Sequence, residues 1–305
     1  QTYTVDSSQF ETLTIDTSGA ATATTFAITD AQMKSVTLVN TTSAGTNPDA
    51  SVNLGTLGVV TATVDVSAFK AATATNGVTL ALSGSAVSGA TVTGSDNNDA
   101  ITGSSQADTI TSGLGADTIT AGAGADSIIL TETTAAVDNV IFSAAATNGA
   151  DTITGFAVGT GVDTATLVNA DTTLAAAANA VIVGSSVALV TGGGAYTTGA
   201  NTATTDVVEI TTVLDSAVTL SASSTGADLL QALSSDTTAA SGITVSNAND
   251  KLFAVVYQNN NAYLFHANDA DGDSLAEAAS TEINLVGVFE GVASGAFATG
   301  DLIMA

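Results

Sequence analysis

Four aspartates recur at nine-residue intervals near the middle of the chain, at Asp99, Asp108, Asp117 and Asp126. Each lies in a nonapeptide that starts with small or polar residues and ends in a short apolar segment, and an Ile follows two residues after each Asp. The four units read GSDNNDAIT, GSSQADTIT, SGLGADTIT and AGAGADSII. The first half of a unit predicts a turn that uses the backbone freedom of glycine. The second half predicts a short strand with Ile facing inward.

Two such units make one coil of 18 residues, so the first unit is expected to stack on the third and the second on the fourth. Asp99 then lies near Asp117, and Asp108 near Asp126. Bare carboxylates at this distance repel each other, and a hard cation that shares carboxylate and carbonyl oxygens removes the repulsion. Ca²⁺ suits such flexible oxygen cages, and the pattern G-G-x-G-x-D-x-U-x is typical of calcium-binding parallel β-repeats.

The last two units match that pattern best, because their turn glycines are all present: Gly113, Gly115, Gly122 and Gly124. In the first two units Asn97 and Gln106 replace the fourth-position glycine, which weakens the calcium prediction there. The alternative is a metal-free β-helix in which Asp only caps turns.

A second acidic motif follows an expected hairpin, where Asp269, Asp271 and Asp273 surround Gly272. Three carboxylates around a glycine turn, with Glu277 four residues on, predict a calcium loop. The motif differs from an EF-hand in the position of its glycine and in the spacing to the glutamate. A solvated acidic turn is the alternative.

Composition excludes several functions. The net charge is −26, and the only cations among 305 residues are Lys34, Lys70 and Lys251. The chain therefore lacks the basic side chains that would neutralise phosphate groups, which argues against binding nucleic acid and against phosphate chemistry. No apolar run reaches the ~18 residues of a membrane helix, so no membrane insertion is expected. With no Cys and one histidine, His266, which we expect at an exposed strand position, we predict that the protein is not an enzyme.

The remaining chain predicts strands with few helices. Apolar residues alternate with Thr in residues 1–91, as in half-buried strands. Short helices are expected at Asp171–Ala180 and at Gly226–Leu233, the second capped by Thr225. Residues 251–258 and 262–266 predict a hairpin around Asn259, Asn260 and Asn261.

We therefore predict an all-β fold, a β-solenoid or β-roll with calcium-binding nonapeptides, flanked by β-sandwich-like or solenoid segments and a few short helices. The expected domains are a Thr/Ala-rich strand region at 1–91, the calcium-binding roll at 92–135, and a C-terminal capping, assembly and secretion region at 136–305.

The nonapeptides resemble those of RTX, or haemolysin-type, calcium-binding proteins, which type I secretion machinery exports. The downstream segments Asp138–Phe142 and Asn148–Phe156 resemble the strand and turn that close RTX rolls. The resemblance implies that Asp138, Asp151 and Asp163 are further calcium ligands, with turn-forming Asp as the alternative role. It also implies that the uncleaved C-terminal region, which ends at Ala305, carries the secretion signal.

Two segments, Phe10–Ile15 and Val64–Phe69, resemble spacer repeats of the RTX-type surface-layer (S-layer) proteins of Gram-negative bacteria. This resemblance implies an extracellular structural protein that assembles with itself on the cell surface when calcium is present. The alternative is the C-terminal calcium-folding and secretion module of an adhesin, of a filament or matrix protein, or of an RTX enzyme whose catalytic domain lies elsewhere.

Overall fold

The chain forms two compact units in a computed structural model: residues 1–143 with 161–163, and residues 144–160 with 164–305. The described residues are 2–5, 11–17, 24–28, 33–39, 51–58, 60–82, 86–130, 136–159, 161–167, 182–185, 196–197, 207–211, 214, 218–233, 243–244, 251–272, 275–276, 282–298 and 300–304.

The first unit is a two-sheet parallel solenoid. One sheet has the order β1-β3-β5-β7-β9-β11-β13 and the other β2-β4-β6-β8-β10-β12, so consecutive strands alternate between sheets. This confirms the predicted β-solenoid or roll. The strands are β1 (Thr2–Val5), β2 (Thr12–Asp16), β3 (Thr24–Ile28), β4 (Ser35–Val39), β5 (Val52–Thr56), β6 (Thr63–Ala68), β7 (Val78–Ala81), β8 (Thr91–Thr93), β9 (Ala100–Thr102), β10 (Thr109–Thr111), β11 (Thr118–Thr120), β12 (Ser127–Ile129) and β13 (Asn139–Ile141).

A column of β-branched residues forms the core of this unit. Val36, Val64, Val92, Ile110 and Ile128 are paired in register across neighbouring strands, and all are 0% exposed. Branched side chains suit this pleated surface, and burying each stabilises the fold by about 1.5–3 kcal/mol. The nonapeptide strands therefore lie in the same two sheets as strands from residues 1–91.

The second unit combines a mixed sheet with short helices. Its main sheet has the order β16-β18-β20-β21-β23-β14, β15 pairs with β24, and β17-β19-β22 form a small third sheet. Its elements are α1 (Ala145–Asn148), β14 (Asp151–Thr154), β15 (Thr164–Leu167), β16 (Ile182–Ser185), β17 (Tyr196–Thr197), β18 (Val207–Ile210), α2 (Gly226–Leu233), β19 (Ile243–Thr244), β20 (Lys251–Gln258), β21 (Asn261–Asn268), β22 (Leu275–Ala276), β23 (Ile283–Glu290) and β24 (Leu302–Met304).

Helix α2 confirms one of the two predicted helices and its cap. The Thr225 hydroxyl accepts a bond from Asp228 N at 3.3 Å, and Asp228 Oδ2 accepts one from Thr225 N at 2.7 Å, a reciprocal pair that satisfies N-terminal amides. The other predicted helix, Asp171–Ala180, lies outside the described residues. Neither described helix has the length and apolarity needed to cross a membrane.

The predicted hairpin is formed by the antiparallel strands β20 and β21. Its turn consists of two residues, Asn259 and Asn260, which adopt positive φ of 53° and 61°. Positive φ at both turn residues suits the twist of a tight hairpin. The prediction that His266 is exposed was wrong: it is 6% exposed, and its ring centroid lies 5.2 Å from that of Phe253. Both faces of β21 are covered, so strand alternation does not place any of its side chains in solvent.

Candidate calcium sites

The nonapeptide turns stack on one another at a spacing of 18 residues. Leu114 N donates to Ser95 O at 2.9 Å, and Ala123 N donates to Ser104 O at 3.1 Å. A Cβ on Gly113 would lie 2.0 Å from Ser95 O, and Gly113 has φ +106°. Only glycine satisfies both conditions, so the repeat glycines are needed for close packing of the turns.

The predicted pairs of aspartates are neighbours in the structure. Asp117 Oδ1 accepts a hydrogen bond from Asp99 N, and Asp126 Oδ1 accepts one from Asp108 N, both at 2.7 Å. Each carboxylate therefore holds the backbone of the aspartate one coil earlier.

The same ladder continues beyond the nonapeptides. Asp138 Oδ1 accepts from Asp117 N at 2.8 Å, and Asp163 Oδ1 accepts from Asp138 N at 3.0 Å. The sequence separations rise from 18 to 21 and then 25 residues. The nine-residue periodicity could not extend the stack this far, whereas the family resemblance selected Asp138 and Asp163.

The carboxylates of the last two nonapeptides have the chemistry of a calcium site. Asp117 is 1% exposed and Asp126 is 2% exposed. Oδ2 of each is buried and accepts no hydrogen bond, although Oδ1 does. A buried carboxylate oxygen is costly unless a cation or donor compensates it, and Ca²⁺ prefers oxygen ligands. These residues fit calcium, which would neutralise the stacked charges.

In the first two nonapeptides, serine and backbone groups donate hydrogen bonds to both oxygens of the aspartate carboxylate. Asp99 accepts bonds from Val78 N and Ser95 N, both at 2.6 Å, and from Ser95 Oγ at 2.9 Å. Burial raises the pKa of Asp99 to about 6, although these hydrogen bonds act in the opposite direction. Asp108 has an equivalent set of bonds from Ala90 and Ser104.

Asp151 belongs to the second unit, where it is the first residue of β14. Its Oδ2 accepts a bond from Asn148 Nδ2 at 2.8 Å, and the same amide lies 3.3 Å from Val286 O. Asp151 is 1% exposed. These contacts show a role in joining α1 to the sheet, and calcium ligation by Asp151 stays a prediction.

The second acidic motif brings together two of its predicted carboxylates, Asp269 and Asp271, and adds a third, Glu282. One ligand oxygen from each of Asp269, Asp271 and Glu282 lies within 4.8 Å of the others. Asp273 and Glu277 lie outside the described residues. Asp269 Oδ1 accepts a bond from Gly272 N at 2.9 Å, and Asn268 N donates to Glu282 O at 2.6 Å. Sequence reasoning missed Glu282, because it reaches the turn through the pairing of β23 with β21.

Comparison with known proteins supports the reading of the repeats. Residues 93–128 match the RTX calcium-binding nonapeptide repeat, in four copies. Neither the curated proteins nor the solved structures contain a match to the chain. RTX nonapeptide repeats bind calcium ions, and proteins that carry them are typically secreted. The roll of this chain is therefore of the RTX type, and calcium is its metal ion.

Proposed function

We propose that this chain is a secreted structural protein that folds on calcium outside the cell and assembles with itself into a surface layer. The observation that carries the proposal is the outward face of the sheet β2-β4-β6-β8-β10-β12. It presents a broad and nearly uncharged array on a chain whose net charge is −26. Copies can approach through such a face with little of the repulsion that the rest of the surface imposes.

Two in-register rows run across this face, and Asp16, exposed on the same side of β2 as Thr12 and Thr14, adds a further carboxylate at its edge. Strand pairing aligns one hydroxyl from each of the six strands in the first row, and the second row contains one carboxylate, Asp65. The strands of a sheet lie about 4.8 Å apart, so the hydroxyls form a regular line. The first row is Thr12, Ser35, Thr63, Thr91, Thr109 and Ser127, and the second is Thr14, Thr37, Asp65, Thr93, Thr111 and Ile129.

Calcium couples folding to location in this proposal. Where calcium is scarce, repulsion between the stacked carboxylates of the last two nonapeptides keeps that part of the roll open, which favours export by type I secretion machinery. Outside the cell, calcium binds the native state and stabilises it by mass action. The roll then provides a folded template for the strands beside it.

A structural role also agrees with the scarcity of side chains that usually act as catalytic nucleophiles or bases. The chain has no Cys, and its one histidine, His266, is buried against Phe253 in the sheet of the second unit. We therefore propose that the protein has no catalytic activity.

Electron microscopy of the full chain, with calcium and with chelator, tests the proposal. A two-dimensional lattice that needs calcium is expected. Dispersed monomers with calcium would contradict it and would favour the secretion and folding module of a larger adhesin or enzyme, while filaments would favour a fibre.

Matched variants identify the assembling face. Thr109→Glu adds one charge to the hydroxyl array, and Thr118→Glu adds one at the equivalent position of β11, in the other sheet; both strands read Thr-Ile-Thr with the same burial. We expect T109E to abolish the lattice and T118E to leave it intact. Equal behaviour of the two variants would show that this array is not the interface.

A further inference from the structure

The four nonapeptides differ at their second residue, which is serine in the first two and glycine in the last two. Ser95 N donates to Asp99 Oδ2 and Ser104 N to Asp108 Oδ2, each at 2.6 Å. The serine hydroxyls donate to Oδ1 of the same carboxylates, at 2.9 Å and 3.1 Å.

Glycine at the second position cannot reproduce this arrangement, since it has no hydroxyl. The backbone also takes another course there, because Gly113 and Gly122 have φ of +106° and +107°, whereas Ser95 and Ser104 have negative φ. The residue at the second position therefore decides both which donors reach the aspartate and how the turn approaches it.

We propose that Ser95 and Ser104 replace calcium in the first two nonapeptides, so that this coil folds without the ion and only the glycine-bearing coil, residues 112–129, requires it. Three donors already occupy the Asp99 carboxylate, and hydrogen bonds to an ionised carboxylate are among the stronger ones in proteins. A cation at this carboxylate would have to displace short bonds that the chain itself supplies.

The contacts of the first repeat with the preceding coil support this assignment. Asn97 Oδ1 accepts from Ala71 N at 2.9 Å, and Asn97 Nδ2 donates to Thr73 O at 3.1 Å. Lys70 Nζ lies 2.5 Å from Asp96 Oδ2, so the chain also supplies a cation to this turn. The residues that depart from the glycine pattern thus attach the turn to coils that contain no nonapeptide.

Calcium binding to the chelator-treated full chain, measured by titration calorimetry with Ca²⁺ alone, tests this assignment. The double variant S95G/S104G restores glycine at the second position and removes the hydroxyls. We expect it to bind at least one more calcium ion per chain than the parent. The control is S105A, because Ser105 neighbours Ser104 and its hydroxyl contacts Gln106 Nε2 at 3.4 Å; its calcium number is expected to be unchanged.

A second variant decides the question if S95G/S104G fails to fold. S95A/S104A removes the hydroxyls and keeps the backbone donors, so calcium number and affinity should stay as in the parent. In chelator, amide exchange in β9 and β10 should become at least ten-fold faster.

Three results would overturn the assignment: an unchanged calcium number in S95G/S104G, unchanged amide exchange in S95A/S104A, or a ten-fold loss of calcium affinity in S95A/S104A. The last would make the serine hydroxyls calcium ligands. The inference depends on calcium binding by the repeats and not on array formation.

Discussion

The two units of this chain are both built from β-strands, but they differ in strand length and in the size of the apolar core that the strands bury. The nonapeptide strands of the first unit are three residues long, and each buries one branched side chain, such as Ile110 or Ile119. Strands β20, β21 and β23 of the second unit are eight residues long and bury a cluster that includes Phe265, Leu285 and Val288. The thin core of the first unit leaves polar turns to supply the remaining stability, so its fold depends on what binds those turns.

Calcium removal should have the largest effect, and it should separate the two units. With chelator, amide protection in β11 and β12 is expected to fall by orders of magnitude, because no cation then offsets the charge of the stacked carboxylates. Protection in the β20–β21 hairpin should persist. Hydrogen exchange followed by mass spectrometry measures both regions in one sample, and parallel loss in both would contradict the comparison.

Two substitutions separate the contribution of the apolar core in the second unit from that of calcium in the first. Phe289→Ala removes a fully buried ring that packs 4.9 Å from Phe156, centroid to centroid, and should cost about 3–5 kcal/mol of unfolding free energy. Calcium affinity should not change. Asp126→Asn should instead lower calcium affinity at least ten-fold, about 1.4 kcal/mol. Calcium titration and denaturant unfolding of each variant measure both quantities. A loss of calcium affinity in Phe289→Ala, or unchanged affinity in Asp126→Asn, would contradict the comparison.

Glycine substitutions test the close stacking of the turns. Gly113→Ala forces a Cβ to within 2.0 Å of Ser95 O at positive φ, so it should cost roughly 2–5 kcal/mol. The control is Gly291→Ala, where φ is +80° but no atom lies within 4 Å of the added Cβ. It should cost about 1–2 kcal/mol. Equal losses in thermal unfolding would mean that stacking adds nothing beyond backbone strain.

The pH dependence of the calcium-free protein offers the smallest effect. The folded-state pKa of Asp99 is raised from 3.8 to about 6, so the folded state resists losing this proton. Stability from this group is present below pH 3.8 and is lost as pH rises to about 6, by up to about 3 kcal/mol. Urea unfolding between pH 4 and 7 in chelator should show this loss, and Asp99→Asn should reduce it. A slope that Asp99→Asn leaves unchanged would assign it to other carboxylates.

The sequence predicted residue contacts best where a fixed repeat length places the contacting residues one coil apart. The spacing of Asp and Ile determines the stacking of Asp99 on Asp117, since a fixed period places equivalent residues one coil apart. The pairing of Glu282 with Asp269 depends on how distant strands pair, which no local pattern encodes. The burial of His266 was missed for a related reason: cover on the second face of β21 comes from elsewhere in the chain.

The ladder of aspartates has a direction. Every carboxylate in it accepts the amide of the coil before it, so Asp117 completes the backbone of Asp99, and Asp138 completes that of Asp117. A chain that becomes available from its C-terminal side finds each acceptor already in place for the next amide. A chain that becomes available from its N-terminal side leaves each new coil waiting for the one that follows. The order in which the ends of this molecule emerge therefore determines which partner of each bond waits for the other: the carboxylate when the C-terminal side comes first, and the amide when the N-terminal side does.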